Sequence, residues 1–358
     1  MPFRLSRLFP NLARREAVLG DDDLPPGDEA RLPVHVLADD AHLSVEDGQL
    51  LIEAGETCQK LRLDELSQVV LHGGAGVTVP CLHTLARARV PVVLLSRGGY
   101  YLGQTVDLSG ATASVRRAQY QLAGMPAQKL SLARDLVGAK LRATARLARR
   151  RVGAKSDLVR TLDRAVRAAA KARDASSLRG IEGAAAAVWY GAWNDFLTRD
   201  DPVCVFDGRS RRPPRDAVNA LLSYLYAVTT GMAASAVNAT GLDPAVGIYH
   251  AERPGRPALA LDIVEPFRVS IVDTAVLAGL NEGVFSASDF TMEGEGGVRL
   301  TDQGRRRALG LLERRLSTRF RDGGAETSWR EAITRTAERL AANLRDGRAR
   351  VIVPQPEG

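Results

Sequence analysis

The sequence predicts an α+β protein, a small N-terminal β-rich domain followed by a larger all-α domain, and three observations carry that expectation. Residues 33–108 hold short apolar runs separated by turn residues, the pattern of strands. Beyond them, apolar residues recur at helical spacing almost without exception. Ser, Thr and Pro stand at the starts of these helical segments, and Gly at the end of one.

Taken in order, residues 1–32 are expected to form an N-terminal extension, basic at first and then acidic and turn-rich (GDDDLPPGDEARLP). The β-rich domain, 33–108, contains PVHVLA, HLSVEDGQLLIE with Asp47 and Gly48 as a hairpin turn, QKLRLDEL, SQVVLHG, VPVVLLS and YYLGQT. One helix interrupts it, with Pro80 in the first turn. Residues 109–120 are expected as a linker, 121–345 as the helical domain and 346–358 as a loose tail.

The 358 residues, 45% hydrophobic and 25% charged, are those of a folded globular chain. The opening residues lack a continuous apolar stretch of signal-peptide type, and no later run approaches a membrane span in length, so a cytoplasmic protein without a membrane partner is expected. Three widely spaced cysteines, Cys58, Cys81 and Cys204, argue against a disulfide framework and against a thiolate zinc site.

Charge is unevenly distributed. Residues 128–179 carry fifteen Lys or Arg against four Asp, an excess of +11 that is larger than the +7 of the whole chain. Such a concentration suits a polyanion, most simply nucleic acid, although an exposed helix can be basic for solubility alone. In SDLVRTLDRAVRAAAKARD, Ser156 is a natural N-cap, and Leu158, Leu162, Ala165, Val166 and Ala169 share a face. Arg160, Arg164, Arg167 and Lys171 occupy the opposite one, and with the preceding Arg-rich helix they read as a phosphate-contacting surface.

The next helix, RGIEGAAAAVWYGAWNDFL, carries Glu182 among small residues, Gly180, Gly183 and 184–187. Taken alone, an acid there reads by default as a first-turn macrodipole partner, and the small residues as close helix packing. In the long apolar helix NALLSYLYAVTTGMAASAVNATGL, Tyr224 and Tyr226 read as packing residues. Residues 241–273 then bring His250 together with two acids, Asp262 and Glu265, in an otherwise apolar run. Buried acids must be paired, hydrogen-bonded or metal-bound. Two local geometries are open. Either a helix runs through Glu265 and puts Asp262 and Glu265 on one face, or Pro266 excludes Glu265 from that helix and starts another. The second is preferred, with Glu265 at the mouth of a helix and Asp262 in support.

Taken together and in order, GIEGAAA, NALLSYLY, GLDPAVGIYH, LALDIVEPFRVSIVD, LNEG, Asp289–Phe290 and LTDQGR resemble the CRISPR-associated protein 1 family, the CRISPR adaptation integrase/endonuclease. The resemblance spans roughly residues 33–345. Trp189 and Tyr190 stand where an aromatic pair with Tyr first is usual, and Val269 replaces a frequent Pro.

The resemblance implies a metal site of Glu182, His250 and Glu265, with Asp262 as an adjacent catalytic acid. Two carboxylates and an imidazole suit Mg²⁺ or Mn²⁺. It further implies transesterification, in which the 3′-hydroxyl ends of a short duplex spacer precursor are joined into the CRISPR array, by a homodimer with a small ferredoxin-like CRISPR adaptation subunit. Arg256, in the loop between two of the implied ligands, is expected to contact double-stranded DNA. The rival readings are a metal-dependent nuclease or transposon integrase on the same scaffold, and a non-catalytic basic scaffold that binds nucleic acid.

Overall fold

The computed structural model describes residues 31–106, 113–294 and 296–356. The expected extension at 1–32 therefore lies almost wholly outside the described residues. The chain divides into two compact units, residues 1–109 and 110–358.

In the first unit, β1 (Leu32–Val36), β2 (His42–Glu46), β3 (Gln49–Ala54), β4 (Thr57–Arg62), β5 (Leu66–His72) and β6 (Gly76–Val77) precede α1 (Val79–Arg87), β7 (Val92–Leu95) and β8 (Tyr101–Gln104). One sheet has the order β1-β5-β7-β8 and the other β4-β3-β2-β6. Asp47 (φ 49°) and Gly48 (φ 73°) make the two-residue turn between β2 and β3, with the positive φ values that a twisted hairpin needs. Thr78 caps α1 by accepting from the Cys81 amide, and Pro80 sits in its first turn as expected. Leu43, Leu50, Ile52, Val69 and Leu85 form the buried centre of this unit.

The second unit opens with α2 (Ala113–Ala123), α3 (Pro126–Val152), α4 (Asp157–Ala170), α5 (Ala175–Gly191) and α6 (Ala217–Ala239). It continues through α7 (Ala258–Val264), α8 (Thr274–Asn281), β9 (Phe290–Glu293), β10 (Gly297–Leu300), α9 (Asp302–Ser317), β11 (Arg319–Asp322), β12 (Ala325–Ser328) and α10 (Trp329–Arg345). Side-chain caps start the helices where the sequence offers them: Ser156 for α4, Asp174 for α5, Asp216 for α6 and Thr301 for α9. The α6 helix is the core, with Leu221, Leu222, Leu225, Val228 and Val237 at or below 1% exposure and α7, α8, α9 and α10 packed around it. α3 packs on α4, on α5 and on the turn that follows α7.

Four expectations are corrected. First, α6 is long and apolar enough to cross a membrane by length and composition, although the sequence was expected to hold no such run; 78% of its apolar window is buried inside the unit, as befits a core helix. Second, the helical domain also contains two hairpins, β9-β10 and β11-β12. Gly294 and Gly296, then Gly323 and Gly324, all with positive φ, supply their turns.

Third, part of the expected linker at 109–120 belongs to α2, and it does structural work there. Gln119, 3% exposed, donates to the carbonyls of Asp243 and Val246 and accepts from the Asp243 amide, while Arg116 donates to Gly241 O. These bonds pin the loop that leads to His250. Fourth, the expected loose tail is docked. Val351 is buried, Asn343 donates to Arg350 O, and the Gln355 amide donates to Asp322.

Candidate active site

Glu182 lies in the middle of α5, not in its first turn, so the helix-end explanation for this acid does not apply. Gly180 and Gly183 on the same helix have open space where a Cβ would stand, which rules out tight helix packing as their reason. Glu265 is 7% exposed and follows α7 in a single helical run. Its φ of −52° and ψ of −45° are helical despite Pro266, so the preferred geometry is corrected in favour of the other. The run accommodates the missing proline amide by passing from α7 into a 3₁₀ turn at Glu265–Phe267 and then a π turn at Val269–Asp273.

Asp262 organises His250. Its Oδ2 accepts from the amides of Ile248 (2.6 Å) and Tyr249 (3.0 Å), and its Oδ1 accepts from the His250 amide (2.9 Å) and lies 2.7 Å from His250 Nδ1. A carboxylate only accepts, so Nδ1 carries a hydrogen, and in the neutral imidazole Nε2 is then the nitrogen with the free lone pair. Nε2 points towards Glu265, 3.7 Å from its Oε1. The wrap around Asp262 requires a glycine at 247. A Cβ there would stand 2.6 Å from His250 O and 2.9 Å from the Ala258 Cβ.

The two remaining acids meet at a lysine. Lys140 of α3 places Nζ 2.5 Å from Glu182 Oε1 and 2.9 Å from Glu265 Oε2. Tyr249 Oη donates to Glu182 Oε2 at 2.7 Å, and Arg268 contacts Glu265 Oε1 at 3.1 Å. Burial works against charge on Glu265, yet Arg268 and Lys140 together hold its pKa well below the usual carboxylate range. Burial likewise opposes charge on Lys140, but Glu265 and Glu182 push its pKa above the ordinary lysine value. For Tyr249, burial and the Glu182 charge push the phenol up, so it stays a donor.

Behind Arg268 runs a second buried network. The guanidinium stacks 4.7 Å from the Tyr226 ring centre. Tyr226 Oη meets Tyr190 Oη at 2.8 Å and donates to Asp273, which also accepts from Trp189 Nε1 at 2.8 Å. Burial raises the Asp273 pKa to about 6 in spite of these two donors. Tyr226 therefore packs, as expected, and also braces the arginine beside Glu265.

Two carboxylates and an imidazole with an available Nε2 form a donor set that fits a divalent ion of the Mg²⁺ or Mn²⁺ kind. Glu265 Oε2 is buried and has no aligned hydrogen-bond donor, only the Lys140 charge beside it. Among the described residues no three His, Cys, Asp or Glu side chains are grouped so as to hold an ion as they stand; the Lys140 ammonium lies between the two glutamates.

Of the expected DNA-contacting residues, Arg160, Arg164, Arg167 and Lys171 are all exposed along one side of α4, whose opposite side buries Val159, Leu162 and Ala169. Val159, not Leu158, is the buried residue of the first turn. Arg256 is half-buried in the loop after His250, its amide bonded to Arg253 O. The structure brings none of these five into the cluster of Glu182, His250 and Glu265. Lys140, which by charge alone belongs with the basic surface, faces inward instead, and its side chain is 17% exposed. The packing of α3 sets its direction: buried Leu136 and Thr144 flank it at i−4 and i+4.

The class that the fold and site define is a two-unit α+β protein, β-rich and then helical, whose helical unit carries a buried carboxylate-imidazole cluster. The sequence profile described as CRISPR associated protein Cas1 matches residues 34–314, and the chain belongs to that family. A Cas4/Cas1 fusion of Rhodospirillum rubrum, named CRISPR-associated exonuclease Cas4/endonuclease Cas1 fusion, is 42% identical over 88% of this chain; the chain spans 56% of that protein's length. Among solved structures, a Cas1 protein from Thermotoga maritima is similar with a TM-score of 0.76 at 23% identity, covering 91% of this chain and 98% of that one. A casposase bound to integration product gives 0.78 at 22%, covering 91% and 94%.

Proposed function

We propose that this chain is a metal-dependent DNA integrase/endonuclease of CRISPR adaptation, acting by transesterification in which a 3′-hydroxyl at the end of a short duplex attacks a phosphodiester of the array. The observation that carries the proposal is the convergence of Glu182, Glu265 and a His250 whose Nε2 is left available by the Asp262 contact. Glu182, His250 and Glu265 would hold Mg²⁺ or Mn²⁺. Bound there, the ion supplies charge stabilisation at the scissile phosphate and acidifies the attacking hydroxyl.

The chain's own groups do the rest. Asp262 fixes the imidazole tautomer and ring orientation. Arg268, stacked on Tyr226, keeps Glu265 ionised and in place. The exposed basic side of α4, and Arg256 in the loop near His250, would take phosphates of the DNA without reading sequence. A homodimer acting with a small ferredoxin-like CRISPR subunit in the cytoplasm is part of the same proposal, since a duplex has two ends to join.

A strand-transfer assay with a labelled duplex and a supercoiled target tests it. Product that needs a free 3′-hydroxyl and a divalent ion, and is lost in Glu182→Gln and His250→Ala, is the expected outcome. Cleavage indifferent to the 3′ end would assign a nuclease, and undiminished activity in both variants would remove the metal-site assignment. Arg256→Ala is expected to weaken DNA binding in the same assay; unchanged affinity and rate would refute that contact.

A further inference from the structure

We infer that Lys140 is an internal counter-ion of the active site, which the divalent ion must displace in order to bind; the inference rests on the metal-site reading above. All four oxygens of the two glutamates are already engaged. Glu182 Oε1 and Glu265 Oε2 share Lys140 Nζ, Glu182 Oε2 takes the Tyr249 hydroxyl, and Glu265 Oε1 takes Arg268. A divalent ion bonds carboxylate oxygen at about 2.1 Å. Each oxygen keeps a second lone pair, so the conflict is one of place: an ion that bridges Glu182 and Glu265 takes up the position between them where Lys140 Nζ now sits.

Geometry selects the lysine. Arg268 is held by its stack on Tyr226, whose hydroxyl is in turn bonded to Asp273. Tyr249 is fixed by its backbone amide on Asp262, next to the His250 that the ion needs. Lys140 has a flexible stem, touches both glutamates at once, and is a single cation whose place between them a divalent ion can take over. Without an ion, the ammonium keeps two buried carboxylates from repelling each other. With one, it is redundant and repelled.

Two measurements on the full chain test this. Mn²⁺ titration by calorimetry should give roughly tenfold tighter binding to Lys140→Met than to the unmodified chain, since the variant lacks the competitor. In its metal-free form the variant should also melt at lower temperature, a deficit that saturating Mn²⁺ removes. The second measurement needs no variant: acylation of lysine amines followed by peptide mass spectrometry should find Lys140 protected without Mn²⁺ and labelled with it. Mn²⁺ affinity of Lys140→Met equal to or below that of the unmodified chain, or protection of Lys140 that persists at saturating Mn²⁺, overturns the inference and leaves the metal site standing. Absence of any Mn²⁺ binding by the unmodified chain overturns both.

Discussion

At the scale of single residues, the site depends on how one buried carboxylate is spent. Asp262, 1% exposed, uses both oxygens on three backbone amides and on His250 Nδ1, which leaves it as the support of the imidazole. Asp262→Asn would put an amide donor against those donors, and a loss of about 10- to 100-fold in Mn²⁺ affinity is expected by calorimetry. Gly247→Ala forces a Cβ into His250 O and the Ala258 side chain, and urea unfolding should show a loss of about 1–3 kcal/mol. The acids and His250 were legible in the sequence because charged groups in an apolar run need partners. Lys140 was not, because a lysine in an arginine-rich helix has the chemistry of its neighbours, and only the packing of α3 separates inward from outward.

At the scale of elements, the helical run from Ala258 to Asn281 bends its own rules around Pro266. A proline disfavours the helical conformation of the residue before it by a modest amount, and tertiary packing of α7 on α6 and α10 outweighs that preference. The local rule, taken without the packing, favours a break at Glu265. The π turn that follows puts Asp273 where Trp189 of α5 and Tyr226 of α6 both reach it. This has a pH consequence. A carboxyl whose folded pKa is raised contributes stability that is present below its unfolded value of 3.8 and is lost as pH climbs through about 6. Glu265, depressed, contributes the opposite dependence, with stability present above its ordinary value of 4.5 and lost as pH falls towards about 2. The difference in unfolding free energy between the unmodified chain and Asp273→Asn should therefore shrink as pH rises from about 4 to about 7. A difference that stays flat over that window would contradict the assignment. The two hairpins were hidden for a related reason: β11 and β12 are each a single short run joined by Gly323–Gly324, and their flanks carry strong helical periodicity.

At the scale of the whole molecule, a β-rich unit and a helical unit were both readable, because strand alternation and helical spacing persist over many residues in each. The basic excess was readable as an amount and only partly as a surface. Arg134 is spent on Ala172 O and Arg149 on Asp163, whereas the α4 stripe stays exposed. Replacing Arg160, Arg164, Arg167 and Lys171 by Gln should weaken DNA binding and flatten its dependence on salt, by about 0.9 in log-log slope for each phosphate no longer neutralised. The melting temperature should barely move, since the ion pair of Arg160 with Asp157 is exposed. An unchanged salt slope would take α4 out of the DNA interface.

The central claim is that residues from α5, from the loop after α6 and from the end of α7 form one metal site. Anomalous diffraction from crystals soaked in Mn²⁺ tests it most directly. The account predicts one strong peak within bonding distance of Glu182, His250 Nε2 and Glu265, with Asp262 still on Nδ1 and Lys140 turned away. A peak elsewhere, or none at saturating Mn²⁺, would contradict it.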